Sequence, residues 1–304
     1  MIKVYNRQTK KYDIEKIAGE KIINVLYNTS YGKIGLELIL KRKLYSVLAG
    51  ILCDSRISAT KIKKFIKKYD IDISEFNDEL RDFKTFNDFF TRRVKPSARP
   101  FLKDSELFLS PGDGRIKGWM NVNINKNIEI KGSGYTLRDL IPENEIIEEY
   151  DGGTVVVLRL NPTDYHRFHF IDDGVCSESK RIKGHYYSVN PVALLSYPKV
   201  FCQNTREYSI LRSKNYGEII YIEVGATCVG SIVQTYKPGE FIKRGSEKGF
   251  FKFGGSTIII LIKKGHVKLD GDILYQTKLG YETKIKAGEV IGRSNEVIGK
   301  SNLE

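Results

Sequence analysis

An α+β fold is predicted, with a helical N-terminal region over residues 1–100 and a mostly antiparallel β body over 101–304 that carries lipoyl-like half-barrel elements. Three observations predict it. Apolar residues recur at helical spacing as far as residue 92, short β-branched runs take over from about 105, and Pro96 and Pro100 stand between the two textures. Strands at that density, placed after the helices rather than alternating with them, argue for antiparallel sheets.

Residues 13–92 read as helical. Ile14, Ala18, Ile22, Val25 and Leu26 recur at one helical spacing, and Leu40, Leu44, Val47, Leu48 and Ile51 at another. Ser58 is the expected cap of a third helix, with Ile62, Phe65, Ile66 and Tyr69 on one face and Lys61, Lys63, Lys64, Lys67 and Lys68 on the other. Two readings fit that helix: a membrane-surface element, or a solvated lysine face over an ordinary core stripe. Thr85 is the expected cap of a short helix carrying Phe86, Phe89 and Phe90. In the second part strands are expected over 121–130, 154–160, 218–224 and 256–262. The tail, 268–272 and then 285–292, reads as strand, turn, strand, as in the half-barrels of lipoyl and biotinyl carriers.

The charge is uneven. The whole chain carries +13, but residues 1–100 hold 22 basic against 12 acidic side chains, while 101–304 hold 28 against 25. A polyanionic partner for the first third is implied, either nucleic acid or an anionic membrane surface. No aromatic base-stacking set is interleaved with the basic residues, which counts against nucleic acid. Cys53, Cys176, Cys202 and Cys228 lie far apart, without a Cys-x-x-Cys pair, and suit a reducing compartment. The first residues turn polar at once, so no signal peptide is expected. No stretch approaches the roughly 20 apolar residues that span a bilayer. Membrane contact is therefore expected to be peripheral, on the cytoplasmic side of the cell membrane.

The most informative segment is Gly254-Gly255-Ser256-Thr257, which runs straight into Ile258-Ile259-Ile260-Leu261-Ile262. A serine at the mouth of a buried strand, behind two glycines, can be aimed at the carbonyl before it, and glycine leaves that carbonyl open. On this segment alone a simple Gly-rich turn before a strand is the favoured reading, and the rest of the chain overturns it. His166 and His169 lie three residues apart, just after the strand expected over 154–160. Such a pair suggests either a metal or two imidazoles with separate acid–base duties. Asp172, Asp173 or His185 would have to complete a metal site, and no recognised ligand spacing is present, so none is assigned. Asp113 lies between Gly112 and Gly114 in a tight turn. Asp113, His169 and Ser256 supply the carboxylate, imidazole and hydroxyl of a relay whose geometry the sequence leaves open.

Taken together, these segments resemble the phosphatidylserine decarboxylase proenzymes. The matching elements, in family order, are Phe86-Asn87-Asp88-Phe89-Phe90-Thr91-Arg92 with Lys95-Pro96 and Arg99-Pro100, Ser110-Pro111-Gly112-Asp113-Gly114, Tyr165-His166-Arg167-Phe168-His169, Tyr187-Ser188-Val189-Asn190-Pro191 and Phe253-Gly254-Gly255-Ser256-Thr257. One departure follows His169, where many members have a proline and this chain reads Phe170-Ile171-Asp172-Asp173-Gly174. The resemblance implies self-cleavage between Gly255 and Ser256 into a beta chain, 1–255, and an alpha chain, 256–304. It implies that Asp113 orients His169, that His169 takes the proton of Ser256, and that Ser256 becomes a pyruvoyl group. That carbonyl would then accept the substrate amine and take up the electrons left by CO₂, with His166 returning a proton to carbon. It implies Tyr187, Ser188 and Asn190 as substrate-binding residues, phosphatidylserine as substrate, no external cofactor or metal, and a possible homo-oligomer. Cleavage is expected to need only the β body. Two alternatives remain: the same chemistry on another amino-acid head group, or a non-enzymatic lipoyl-like carrier.

Overall fold

The computed structural model describes residues 2–15, 29, 50–130, 133–141, 143–185, 200–225, 232–254 and 256–295. Over these residues the protein is mixed α and β, with strands predominating and short helices between them.

The strand Ser256–Ile262 forms the centre, buried along its whole length. It pairs antiparallel with Gly217–Val224 on one side and Gly153–Leu160 on the other. These three belong to an 11-stranded sheet. Ile, Val and Leu predominate in all three strands, as expected where both faces are covered. Side chains alternate between the faces. Ile259 and Leu261 enter one core with Tyr135, Tyr150 and Tyr208. Ile258, Ile260 and Ile262 enter the other with Phe168, Phe170 and Phe251. Ser256 has the parity of this second set, so its side chain leaves the sheet towards the layer that holds Phe168.

That layer is a three-stranded sheet of Ile232–Gln234, Glu247–Phe251 and Arg167–His169. Its middle strand ends just before Gly254, and its edge strand carries His169, with His166 immediately before it. The chain thus folds the segment before Ser256 against the histidines and then feeds Ser256 into the main sheet. In the tail, Val267–Leu269 pairs antiparallel with Val290–Ser294, and the helix Gly271–Lys278 lies between them in sequence.

The N-terminal part departs from the helical expectation. Lys3–Asn6 and Lys11–Ile14 form a hairpin, and Lys3–Asn6 joins Glu282–Ile285 in a parallel pair. Ile14 is therefore a strand residue. Most of the first two expected helices lies outside the described residues; of the second, residues 50–53 are helical. The lysine-rich helix is present as Ile62–Tyr69, with Ile62 buried and Lys61, Lys63, Lys64, Lys67 and Lys68 all exposed. Ser58 does not cap it. Its hydroxyl lies inside a preceding 3₁₀ turn, donates to the Cys53 and Ser55 carbonyls and accepts from the Phe86 N–H. Thr85 does cap Phe86–Phe90, through a reciprocal capping box with Asp88.

A small aromatic core closes this part: Ile62, Phe76, Phe83, Phe86, Phe89 and Phe90 are buried together, with Phe253 packed against them. Phe89 meets Phe65, Phe76, Phe83 and Phe86 at ring distances of 5.6–6.1 Å. Replacing it should leave a cavity that its neighbours cannot fill. Phe89→Ala is expected to cost about 3–5 kcal/mol, measured by urea unfolding of the full chain in a Ser256→Ala background.

Candidate active site

Ser256 is wholly buried at the start of the central strand, paired with Leu160. Gly254, two residues earlier, has φ 145°, a conformation that residues with a Cβ rarely adopt. Gly255 lies outside the described residues, so the geometry of the bond between it and Ser256 is not described. The Ser256 Oγ lies 3.4 Å from Nδ1 of His166. This is long for a hydrogen bond to nitrogen, as is common before a reacting group is engaged.

His166 is wholly buried and stacks on Phe90, with ring centroids 3.9 Å apart. Its Nε2 lies 3.1 Å from the Asn161 carbonyl. A carbonyl only accepts, so Nε2 carries the proton and Nδ1 is left to accept from Ser256. Burial pulls the pKa of His166 down to about 3, against the opposing charge of Asp164.

The turn that presents this ring is held by ions. Asp164 accepts from the Asn161 N–H at 2.7 Å and pairs with Arg115. Asn161 donates to Glu15, which pairs with Arg115 and Arg159, and Arg159 pairs with Glu282. Arg92, stacked on Phe76 and Phe89, donates to the Thr163 and Asp164 carbonyls at 3.1 Å each.

His169 faces different partners. Its Nδ1 donates to the Gly245 carbonyl at 3.0 Å, and its Nε2 accepts from the Tyr165 hydroxyl at 3.0 Å. Burial lowers its pKa, opposed by the Gly245 carbonyl and the charges of Glu247 and Asp113. The His169 backbone N–H binds the Pro111 carbonyl, which ties the Ser110–Gly114 turn to the histidine strand. Gly114 is required there, because a Cβ would meet the Arg159 carbonyl at 2.6 Å.

Asp113 is buried, but its carboxylate accepts from Arg99 at 2.7 and 2.6 Å and from the Ala287 N–H at 2.9 Å. Burial alone would lower the pKa of Arg99, yet Asp113 and Glu75 outweigh it and raise that pKa. The expected chain of contacts from Asp113 to His169 to Ser256 is thus not assembled. Asp113 reaches His169 through its field, and the imidazole in contact with Ser256 is that of His166. The physical reason is competition: a guanidinium offers a carboxylate two charge-assisted bonds, and a neutral imidazole offers one weaker bond.

Tyr187, Ser188 and Asn190 lie outside the described residues. Asp172 and Asp173 are engaged with Ser213, Asn215 and Arg244. Arg92, Arg99, Asn87 and Tyr165 stand in the motifs without a role that the sequence assigns: Arg92 reaches Thr163, Arg99 reaches Asp113 and Asn87 reaches Phe253, while Tyr165 meets His169 within its own motif.

The burial of His166 has a consequence for pH. Between its ordinary pKa of 6.5 and the folded value of about 3, the unfolded chain binds the proton that the folded chain refuses. Stability therefore falls as pH drops through that window. In a Ser256→Ala background, His166→Phe should make this fall shallower, read from urea midpoints between pH 6.5 and the acid limit of folding. Equal slopes with and without the histidine would contradict its being buried neutral.

The family model for phosphatidylserine decarboxylase matches residues 86–293. The chain is 56% identical over 292 residues to the phosphatidylserine decarboxylase proenzyme of Ruminiclostridium cellulolyticum, covering 96% of this chain and 97% of that one. It is 53% identical over 292 residues to the protein of the same name from Clostridium perfringens and 55% identical to that from Clostridium botulinum, covering 96% of this chain and 99% of each relative. A match of this length and identity, over the segments that hold Ser256, His166 and Asp113, makes the chain a member of the phosphatidylserine decarboxylase family.

Proposed function

We propose that this protein is a self-processing decarboxylase that converts phosphatidylserine to phosphatidylethanolamine and CO₂. The observation that carries the reading is Ser256, wholly buried at a strand mouth with its hydroxyl against a neutral imidazole. A plain Gly-rich turn needs no such arrangement.

In the proposed cleavage, Ser256 Oγ attacks the Gly255 carbonyl and the peptide C–N bond breaks. An ester to Ser256 forms, and the Ser256 amine is freed. Loss of a Cα proton expels Gly255 as a carboxylate and leaves a dehydroalanine. Its imine tautomer adds water and releases ammonia, giving a pyruvoyl end on residues 256–304. Full burial of residue 256 suits a reactive carbonyl that must be kept from bulk water. That carbonyl supplies an electrophile for the substrate amine and a sink for the electrons that CO₂ leaves behind.

The two imidazoles divide the proton work. We assign the base for cutting to His169, where burial lowers the pKa and the fields of Asp113 and Glu247 oppose that fall. We assign His166, which burial keeps neutral, to the substrate step beside residue 256. One observation favours the reverse: of the two, His166 is the ring in contact with Ser256. Tyr187, Ser188 and Asn190 complete the proposal as substrate-binding residues.

Residues 1–100 are proposed as a region that binds anionic membranes from the cytoplasmic side, and 101–304 as the catalytic body. The exposed lysine row and the exposed Ile51, Leu52 and Ile57 support this. Among the described residues no helix is long and apolar enough to cross a membrane. The antiparallel pair Val267–Leu269 and Val290–Ser294 supports the lipoyl-like reading of the tail. Association of two or more copies is part of the same proposal.

Ser256→Ala should give only uncut chain without decarboxylase activity; a 49-residue fragment from that variant would overturn the reading. His169→Ala and Asp113→Asn should block cutting, while His166→Ala should cut and then turn over poorly, as read on gels and by CO₂ release. The opposite pattern would give the base role to His166. Each lysine near an anionic surface contributes on the order of 1 kcal/mol. Replacing Lys61, Lys63, Lys64, Lys67 and Lys68 with glutamine should therefore release the protein from anionic vesicles in flotation. Added salt should do the same, since the attraction decays over about 8 Å. Undiminished flotation would leave the lysines as a solvated face.

A further inference from the structure

The short helix Phe86–Phe90 grips both sides of the reaction centre. On one side Phe90 stacks on His166. On the other, the Phe253 ring packs edge-on against Phe86 and Phe90, with centroids 5.1 Å away in each case. Between these contacts sits Asn87, a buried polar side chain. Its Oδ1 accepts from the Phe253 N–H at 2.8 Å, and its Nδ2 donates to Asp54 Oδ1 at 2.8 Å. The other Asp54 oxygen lies 3.1 Å from Nζ of Lys252. A carboxylate can only accept and a backbone N–H can only donate, so the two partners fix which way the Asn87 amide points.

We infer that Asn87, oriented by Asp54, is a positioning residue for self-cleavage that fixes the chain just upstream of the Gly255–Ser256 bond. The inference rests on the proposed cut at that bond. Ser256 is already fixed downstream by its pairing with Leu160. Asn87 fixes Phe253, three residues earlier, and Gly254 between them takes φ 145°. Attack on a neighbouring carbonyl requires the chain to be held on both sides of the bond, and small misplacements cost large factors in rate. The downstream hold comes from the main sheet. The upstream hold comes from residues 54 and 87, inside the region otherwise assigned to the membrane. Cutting then depends on residues before 101 as well as on the β body.

After cutting, Phe253 belongs to the loose end of the large fragment and no longer directs a bond. The hold should therefore matter for processing and not for turnover. The test is pulse-chase synthesis of the full chain in a cell-free system, followed on gels, with CO₂ release normalised to pyruvoyl ends. Asn87→Ala should slow processing about ten-fold or more, while turnover per pyruvoyl end stays within about two-fold of wild type. Asn87→Asp keeps the acceptor for Phe253 but sets two carboxylates against each other, and should also be slow. Combining it with Asp54→Asn restores a donor facing an acceptor and should recover the rate.

Processing at the wild-type rate in Asn87→Ala would overturn the proposal. So would a parallel loss of turnover, or failure of the paired exchange to recover a chain whose melting temperature is normal. Absence of the 49-residue fragment from the wild-type chain would instead defeat the reading of self-cleavage itself.

Discussion

The site depends on one constraint: the strand Ser256–Ile262 is hydrogen-bonded on both edges and buried on both faces. A strand held this way cannot slip by one residue without turning Ser256 and every isoleucine to the opposite face. Its register sets where Ser256 points, and period-two alternation puts that residue on the face of Phe168 and Phe251. The sheet holding Glu247–Phe251 and Arg167–His169 lies on that face. The Phe251 N–H binds the carbonyl of His166 at 3.0 Å, so the histidine turn and the chain leading to Ser256 are joined directly. Two layers of sheet thus bring Ser256 and the histidine turn together.

Charges stiffen this arrangement rather than simply adding stability. Glu15, Arg115, Arg159, Asp164 and Glu282 form a buried ionic cluster behind the histidine turn. Lys248 and Glu223 form a second pair with no solvent exposure, 2.9 Å apart, among the rings of Phe168, Phe170, Tyr221 and Tyr236. Desolvating such ions costs about what their attraction returns, so the net contribution to folding is small. Geometry is the larger gain. Each guanidinium has a fixed fork of donors, and misplacing the Asn161–Asp164 turn would strand a buried charge. The cost of that error protects the position of His166.

Much of the site was legible because its signals are local. The Gly-Gly-Ser-Thr step into an all-apolar run marks a buried strand mouth. The histidine spacing marks two imidazoles near one turn, and Thr85 with Asp88 marks a helix start. What stayed hidden is carried by distant partners. Lys3–Asn6 is a strand because it pairs with Glu282–Ile285, which no local pattern announces. Ser58 reads as a cap, yet its hydroxyl serves the Phe86 N–H, 28 residues away. Asp113 reads as a partner for an imidazole, yet Arg99 takes both of its oxygens. Both residues stand in quoted motifs, but a motif does not show which way a side chain turns.

The two imidazoles are both buried but meet different partners. His166 is sealed beneath Phe90 and donates to a single carbonyl, so its charged form is strongly disfavoured. His169 is also buried, but Glu247, Asp113 and the Gly245 carbonyl each favour its charged form. Contact alone points to His166 as the acceptor from Ser256, and the groups that oppose burial at His169 are the ground for proposing that ring instead. A base whose conjugate acid has a pKa of about 3 gives little driving force for taking a serine proton at neutral pH. The same burial means that His166 enters the proposed substrate step neutral, with its one proton on Nε2 and its Nδ1 towards residue 256. In the proposed division of labour, environment rather than residue type separates the two imidazoles, and what distinguishes them in the fold is that the aromatic helix covers His166.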